Sequence, residues 1–285
     1  MVGLTAMDTH KDDFGKDPWE VRITSTPYSI MLRFLFCIGV SALLRIEYLV
    51  AAAIVARLAP DWSQNKQRIF SVRVVSFTHA TISSLGCLCS LLSDPNYFKE
   101  PYDYRTDSAQ YVFLFSMGYF IYDLIDMYIH GEAPNSKEYF VHHSLVISAF
   151  TVILLTGKLF GFAMIGLLVE VQTIFLHLRT MVRLAGCSKR GTFAYNALIN
   201  ANMLCLFLFR HIPVTYLLYV MLVQDEKTPT VLRAFLTGGL GFLTYHNTHL
   251  TISMIKADGF FGNEMQVLDE DSVDPLGSVK VKKEK

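Results

Sequence analysis

Residues 109–130 read AQYVFLFSMGYFIYDLIDMYIH. As a helix this run is long enough to cross the hydrocarbon core of a bilayer, which takes ~20 residues. It nevertheless carries Asp123 and Asp126, which share one helical face with Tyr119 and His130 at the spacing i, i+4, i+7, i+11. A charge at the bilayer centre costs about 2.5–3.5 kcal/mol, so this face must meet other helices. The run therefore predicts a membrane helix inside a bundle.

Apolar runs of the same kind recur along the 285-residue chain, which is 52% hydrophobic and 18% charged. Backbone groups in lipid must be satisfied within the segment, so runs of this length predict helices. We predict an all-α, polytopic transmembrane helical bundle of six to seven helices around a polar interior cavity. Arg33, Arg45 and Glu47 interrupt the first run and the fourth is short, which leaves six as the alternative count. The candidate spans are 29–57, 69–93, 109–130, 139–157, 160–183, 193–223 and 231–256.

The charge distribution predicts how these helices are arranged. One membrane domain, 28–257, lies between a polar N-terminal tail, 1–27, and a charged C-terminal tail, 258–285, that we expect to be disordered. Lysine and arginine are more frequent in the connectors on the membrane side that also carries the C-terminal tail, so this side is predicted to face the cytosol. The net charge is zero, which gives no reason to expect a nucleic-acid partner. The oligomeric state stays open.

Polar side chains recur on one face of each of several other predicted helices. Such faces have two interpretations: ion pairs and hydrogen bonds that fix helix packing, or the walls of a shared pocket. Because five faces show the pattern, we favour a lipid-binding cavity. The acids Asp123, Asp126 and Glu170 are equalled in number by three arginines. The proposed cavity residues are Arg73, Ser76, His79, Tyr119, Glu170, Thr173, His177, Arg179, Asn200 and Arg210.

The fourth run opens with an adjacent pair, His142 and His143. A histidine beside a carboxylate can act as a general base or nucleophile near neutral pH. Asp123 or Asp126 can provide that carboxylate, which makes these four residues the candidate catalytic group. Alternatively, the pair hydrogen-bonds backbone or headgroups at the membrane interface.

The remaining histidines and cysteines do not predict a metal site. His246 and His249 lie away from the threonine stripe of the last run and are expected to be structural. Cys87 and Cys89 have no second pair at zinc-ligand spacing, and the other histidines are too scattered for the clustered ligands of a di-iron oxygenase. No metal or cofactor is predicted.

Five segments in this order resemble the TLC (TRAM–LAG1–CLN8) domain family, over about 57–256, and in particular the subgroup of TLC domain-containing proteins 1 and 2. The segments are RVVSFTH at 73–79, GYFIYDLID at 118–126, VHH at 141–143, LVEVQTIFLHLR at 168–179 and FLFR at 207–210. The resemblance implies an integral membrane protein of the plasma membrane that limits polyunsaturated chains in membrane phospholipids and so regulates fluidity. Its partners would be membrane lipids, either phospholipid or fatty acyl chains.

The same family offers an enzymatic alternative. Ceramide synthases use adjacent histidines with acyl-CoA, which would place His142 and His143 at a reaction centre and make acyl-CoA a substrate. This sequence departs from their pattern, because its acidic pair, Asp123 and Asp126, precedes the histidines and only Glu170 follows them. The alternative function is therefore an acyl-CoA-dependent acyltransferase other than a typical ceramide synthase.

The last residues, Lys282-Lys283-Glu284-Lys285, resemble a dilysine retrieval signal. With a cytosolic C-terminus, this signal makes the endoplasmic reticulum the alternative to the plasma membrane.

Overall fold

A computed structural model describes residues 27–132, 134, 136–188 and 192–262. Within these residues all regular secondary structure is helical and there is no strand, which confirms the predicted fold class. The long elements are α1 (Pro27–Leu58), α2 (Gln64–Ser93), α4 (Asp107–Ile129), α5 (Lys137–Thr156), α6 (Phe160–Leu167), α7 (Val169–Leu184), α8 (Phe193–Leu206), α9 (Ile212–Tyr219) and α10 (Thr230–Asp258). The short helix α3 (Asn96–Lys99) lies in the connection before α4.

Six units in the described part of the chain are long and apolar enough to cross a membrane: Tyr28–Leu58, Gln64–Ser93, Asp107–Ile129, Lys137–Thr156, Phe160–Leu184 and Phe193–Gln224. Helix α10 is long enough but is not among them. It still packs along the bundle, because Arg233 near its start donates to the Met221 carbonyl at 2.6 Å and Asp258 at its end pairs with Arg179. Composition alone therefore gives six spans, and packing adds α10 as a seventh long helix.

The charged residues of α1 do not interrupt it, because they turn toward neighbouring helices. Arg33 donates to the Leu154 carbonyl at 2.6 Å, and Glu47 accepts from the Thr78 hydroxyl at 2.5 Å. Arg45 lies 3.4 Å from Asp126. The outer face of α1 is left to apolar side chains such as Phe34.

Pro213 explains the irregular geometry between α8 and α9. Proline has no amide N–H, and its ring collides with the carbonyl four residues earlier, so a regular helix cannot continue into it. The preceding turn, Phe207–His211, is a π-turn in which the Ile212 N–H bonds the Phe207 carbonyl. Such turns are common at functional sites, and this one contains Arg210.

The connection between α5 and α6 is closed from outside by the loop that follows α3. The Leu159 N–H donates to the Tyr102 carbonyl at 2.6 Å and the Gly161 N–H to the Pro101 carbonyl at 3.0 Å. Only glycine allows this approach, since a Cβ on Gly161 would lie 2.6 Å from Pro101 Cα. Leu159 has a φ of 65°, a left-handed conformation that costs a non-glycine residue about 1–2 kcal/mol. The loop and this connection together seal one end of the bundle.

Two predicted segments lie largely outside the described residues. The tail 1–27 overlaps the structure only at Pro27, where α1 begins. The tail 258–285 is described only as far as residue 262, so Lys282-Lys283-Glu284-Lys285 lies beyond it.

Gly118 provides a test of the packing of α1 on α4. A Cβ at this position would lie 2.7 Å from Val40 Cβ and 2.9 Å from the Cys37 carbonyl oxygen. We expect Gly118→Ala to lower the free energy of unfolding by about 1–3 kcal/mol, because the added carbon forces the two helices apart. The measurement is the thermal unfolding midpoint of the purified protein in detergent.

Gly39→Ala is the matched control, because a Cβ on Gly39 meets nothing within 4 Å. A Gly118→Ala midpoint equal to that of Gly39→Ala would contradict the close helix contact.

Candidate functional site

The polar faces of α2 and α4 meet in the interior of the bundle. The Tyr119 hydroxyl donates to Ser76 Oγ at 2.9 Å, and the Tyr119 ring stacks on the His79 ring with centroids 3.8 Å apart. Both rings are almost completely buried. The predicted stripes of these two helices therefore face each other.

Helix α7 adds its own polar face to this centre. His79 Nδ1 lies 3.8 Å from Glu170 Oε2, within ion-pair range. About two helical turns away along both α2 and α7, Arg73 Nη1 lies 3.4 Å from His177 Nδ1. All four side chains are buried. The residues that connect α2, α4 and α7 are thus those predicted from the sequence.

The two adjacent histidines of α5 have different surroundings. His143 is buried, and its Nδ1 lies 3.0 Å from Asp123 Oδ2, an ion-pair distance at an angle that does not make a linear hydrogen bond. His142 instead lines a cavity, and its Nδ1 makes no hydrogen bond to any described residue. The structure therefore places Asp123 beside one of the two adjacent histidines, whereas Asp126 lies 3.4 Å from His130 of its own helix.

A cavity of about 150 Å³ lies between α4, α5, α6, α7, α9 and α10. Its walls are mainly hydrocarbon, from side chains such as Phe120, Phe150, Phe162 and Leu217. Polar side chains enter it only at one end, from His142, Glu170, Arg210 and Asn247. Of the predicted site residues, His142, Glu170 and Arg210 therefore form the polar head of a cavity whose walls are otherwise apolar.

Arg210 is the cation of this polar head. Its Nη2 donates to Thr173 Oγ1 at 2.9 Å and its Nη1 approaches Asn247 Oδ1 at 3.5 Å, while its buried Nε makes no hydrogen bond. Among the described residues no carboxylate lies within the 4.0 Å of an ion pair with it. The guanidinium is therefore hydrogen-bonded to neutral oxygens, while Glu170 of the same polar head interacts with it from beyond ion-pair distance.

Of the ten proposed cavity residues, only Glu170 and Arg210 line the cavity, and Thr173 contacts Arg210. Five others belong to the buried polar centre between α2, α4 and α7 and do not line the cavity: Arg73, Ser76, His79, Tyr119 and His177.

Three of the residues proposed for the cavity or the catalytic group lie away from both the cavity and this polar centre. Asp126 belongs to a separate ion cluster, 2.8 Å from Arg68 Nη2 and 3.4 Å from Arg45 Nη1. Arg179 forms a buried bidentate pair with Asp258, because α7 carries it two and a half turns beyond Glu170 to the end of α10. Asn200 is exposed on the outer face of α8, because its position points away from the α7 contact.

Sequence reasoning missed the role of two residues near the cavity head. Asn247 contacts Arg210 and lines the cavity, and it is buried between two histidines of α10. His246, expected to be structural, is buried with its Nδ1 3.3 Å from Glu138 Oε2 and its ring stacked on His142 at 6.0 Å. A signal for these residues was present in the sequence, because residues 246–249 place polar side chains on both sides of a helix that is otherwise rich in threonine and glycine.

No group of three or more potential ligands in the described residues is arranged to hold a metal ion.

These features define an integral membrane protein of the polytopic α-helical class, with an interior site made by charged and aromatic residues of consecutive spans. The chain belongs to the TLC domain family (TRAM, LAG1, CLN8), whose model matches residues 69–256.

Curated relatives agree with this assignment. The chain is 35% identical to TLC domain-containing protein 1 of Gallus gallus over 144 residues, which is 50% of this chain and 56% of that protein. It is 28% identical to TLC domain-containing protein 2 of Danio rerio over 183 residues, 64% of this chain and 74% of that protein. Against the Homo sapiens TLC domain-containing protein 1 it is 32% identical over 149 residues, 52% and 60% of the two chains. The match thus spans little more than half the length of the first of these relatives.

The Arg179–Asp258 pair tests whether these two residues fix the bundle instead of serving the cavity. Removing one partner leaves an uncompensated buried charge, so we expect Asp258→Asn to cost about 3–5 kcal/mol of stability. Arg179→Met combined with Asp258→Leu should recover part of this loss, because it removes both charges of the pair. The recovery is only partial because Arg183, which approaches Asp258 at 3.5 Å, also loses its acid. Thermal unfolding in detergent measures both effects. Asn200→Ala is the control and should be neutral; equal stability of Asp258→Asn and the control would refute the structural role.

Proposed function

We propose that this protein binds an acyl chain of a membrane lipid in the cavity and so regulates phospholipid fatty-acyl composition, limiting polyunsaturated phospholipids, and membrane fluidity. The observation that carries the proposal is the amphiphilic character of the cavity. Its walls are hydrocarbon and its head contains Arg210 and His142. A molecule with one apolar chain and a polar or anionic end is complementary to both parts.

The energetics favour an anionic end group at Arg210. A guanidinium in hydrocarbon is costly unless it is paired, and its planar fork matches a carboxylate or phosphate. The neutral oxygens of Thr173 and Asn247 use only part of its donor capacity. An anion bound there would accept from the remaining N–H groups, which Glu170, the acid of the same polar head, does not reach within ion-pair distance.

The length of the cavity supports a single acyl chain. Glu170, at the polar head, follows Leu159, the first lining residue of the α6–α7 unit, by eleven residues, which is about 16 Å of helix. This is half of the ~30 Å hydrocarbon core, the depth that the chains of one leaflet occupy. An acyl chain can therefore lie along the cavity with its polar end near mid-membrane.

The names of the relatives are consistent with the subgroup resemblance on which this proposal draws. The three relatives reported above are called TLC domain-containing protein 1 or 2, the subgroup that the sequence resembles. By that resemblance we propose the plasma membrane as the location, with the endoplasmic reticulum as the alternative that the C-terminal lysines suggest.

A second candidate function is acyl transfer from acyl-CoA, and the His143–Asp123 contact favours it. Asp123 would orient His143, which would take the proton of an acceptor hydroxyl or amine as that group attacks the thioester carbonyl. The thiolate of CoA would leave, and Arg210 would stabilise the negative charge that develops on the oxygen. His142, with a free Nδ1 in the cavity, would contact the acyl group.

The proposed regulatory function is tested by lipidomics on cells that lack the protein and are loaded with palmitate. Re-expression of the wild type should lower the fraction of polyunsaturated phospholipids. Arg210→Gln should abolish this effect at unchanged protein abundance, because the anionic end of the ligand loses its partner. The matched control is Arg57→Gln, the same change at an exposed residue of α1, and it should behave as the wild type. An unchanged phospholipid profile on wild-type re-expression, or full activity of Arg210→Gln, would contradict the proposal.

The variants His143→Ala and Asp123→Asn distinguish the two functions. Purified wild type and each variant are mixed with palmitoyl-CoA and a membrane lipid extract, and the release of CoA is measured. Acyl transfer predicts release of CoA by the wild type and a loss of about 10²-fold or more in either variant, the contribution of a positioned base. Lipid binding alone predicts no CoA release by any of the three, together with retention of the cellular lipid effect in both variants. Loss of that effect in folded His143→Ala would count against the purely binding function.

A further inference from the structure

The end of the cavity opposite Arg210 is formed by an unusual residue. Leu159 lines the cavity, is 3% exposed, and has a left-handed backbone with φ 65°. Left-handed positions ordinarily hold glycine or asparagine, because a Cβ clashes with the backbone there. Glycine stands two residues earlier, at Gly157, where φ is 68°. A leucine with a strained backbone at a buried position that lines the cavity indicates a functional role for its side chain.

The surroundings of Leu159 show that this end is closed. Phe162 and Met221 line the cavity beside it, and the ring of Tyr102 packs edge-on against Phe162 with centroids 4.9 Å apart. The Tyr102 hydroxyl donates to Asp225 Oδ1 at 2.9 Å, which ties the loop to the connection after α9. An acyl chain that extends from the polar head therefore meets the side chains of Leu159, Phe162 and Met221, which we call the floor of the cavity.

The position of the floor is fixed by backbone contacts. The Leu159 N–H donates to the Tyr102 carbonyl at 2.6 Å, and two residues later Gly161 repeats the contact with Pro101. These bonds hold the left-handed turn in place and direct the leucine side chain into the cavity. The floor consequently cannot retreat to admit a longer chain without breaking the loop contact.

We infer that Leu159 sets the length of the acyl chain that the cavity accepts. The inference rests on the proposed function, since it assumes that an acyl chain occupies the cavity with its polar end at Arg210. It adds to that function a residue that determines specificity. Chains that reach Leu159 fill the cavity, shorter chains leave apolar surface unburied, and longer chains must bend.

The test uses saturated free fatty acids of increasing even chain length as probes. Their binding to purified full-length protein in nanodiscs is measured by native mass spectrometry at equal concentrations. The wild type should bind one length best. Leu159→Ala should move this maximum to longer chains by about two carbons, because truncation of the side chain leaves a cavity of matching size. Leu159→Phe should move it to shorter chains.

Two further variants test whether a change in the preferred chain length comes from the position of the floor or from a general loss of packing. Leu154→Ala makes the same truncation at a buried residue that does not line the cavity, and it should leave the preferred length unchanged. Leu159→Gly removes both the side chain and the backbone strain, so it should show the longer preference of Leu159→Ala with a higher thermal midpoint.

The outcomes distinguish this inference from the proposed function. If the wild type binds no fatty acid of any length, the proposed function fails. If it binds them but Leu159→Ala and Leu159→Phe keep the wild-type preference, or Leu154→Ala shifts it equally, then acyl binding stands and the assignment of Leu159 is wrong.

Discussion

The structure depends on one constraint: a charged side chain in hydrocarbon must find a partner within the protein. The chain meets it in three places. Asp126 is enclosed by arginines of α1 and α2, Asp258 is clamped by Arg179 and Arg183, and Asp123 and Glu170 face histidines in the interior. Each cluster joins elements that are distant in sequence, so the same contacts that neutralise the charges also determine which helices are neighbours.

Against this background Arg210 is central to the proposed chemistry of the interior. It lies in a π-turn that Pro213 imposes, faces an apolar cavity, and contacts the neutral oxygens of Thr173 and Asn247, whereas Arg68 and Arg179 contact carboxylates. We propose that this arginine receives the anionic end of a ligand. The loop at residues 101–102 closes the opposite end, so the cavity has a polar head, a hydrocarbon body and a fixed floor.

Much of this could be predicted from the sequence, and the remainder shows where such reasoning stops. Run length and helical periodicity predicted the helices and the inward orientation of the faces that contain Tyr119, Glu170 and Arg210. The pairings could not be predicted, because Arg179 shares a face with Glu170 and only the length of α7 carries it to Asp258, which the sequence reading had assigned to the tail. The apolar character of the cavity was also hidden. A leucine that faces lipid, a neighbouring helix or an internal space looks the same in a sequence.

The composition of α10 has a consequence for how the protein is made. This helix supplies Asn247 and His246 to the interior, and its polarity excludes it from the helices that are apolar enough to cross a membrane by themselves. It is also translated after all the other described helices. Stable insertion of α10 into the bilayer therefore depends on its contacts with the helices made before it, such as Arg233 with the Met221 carbonyl and Asp258 with Arg179. The earlier spans act as the receptor for α10, and the cavity is completed only when this helix has docked.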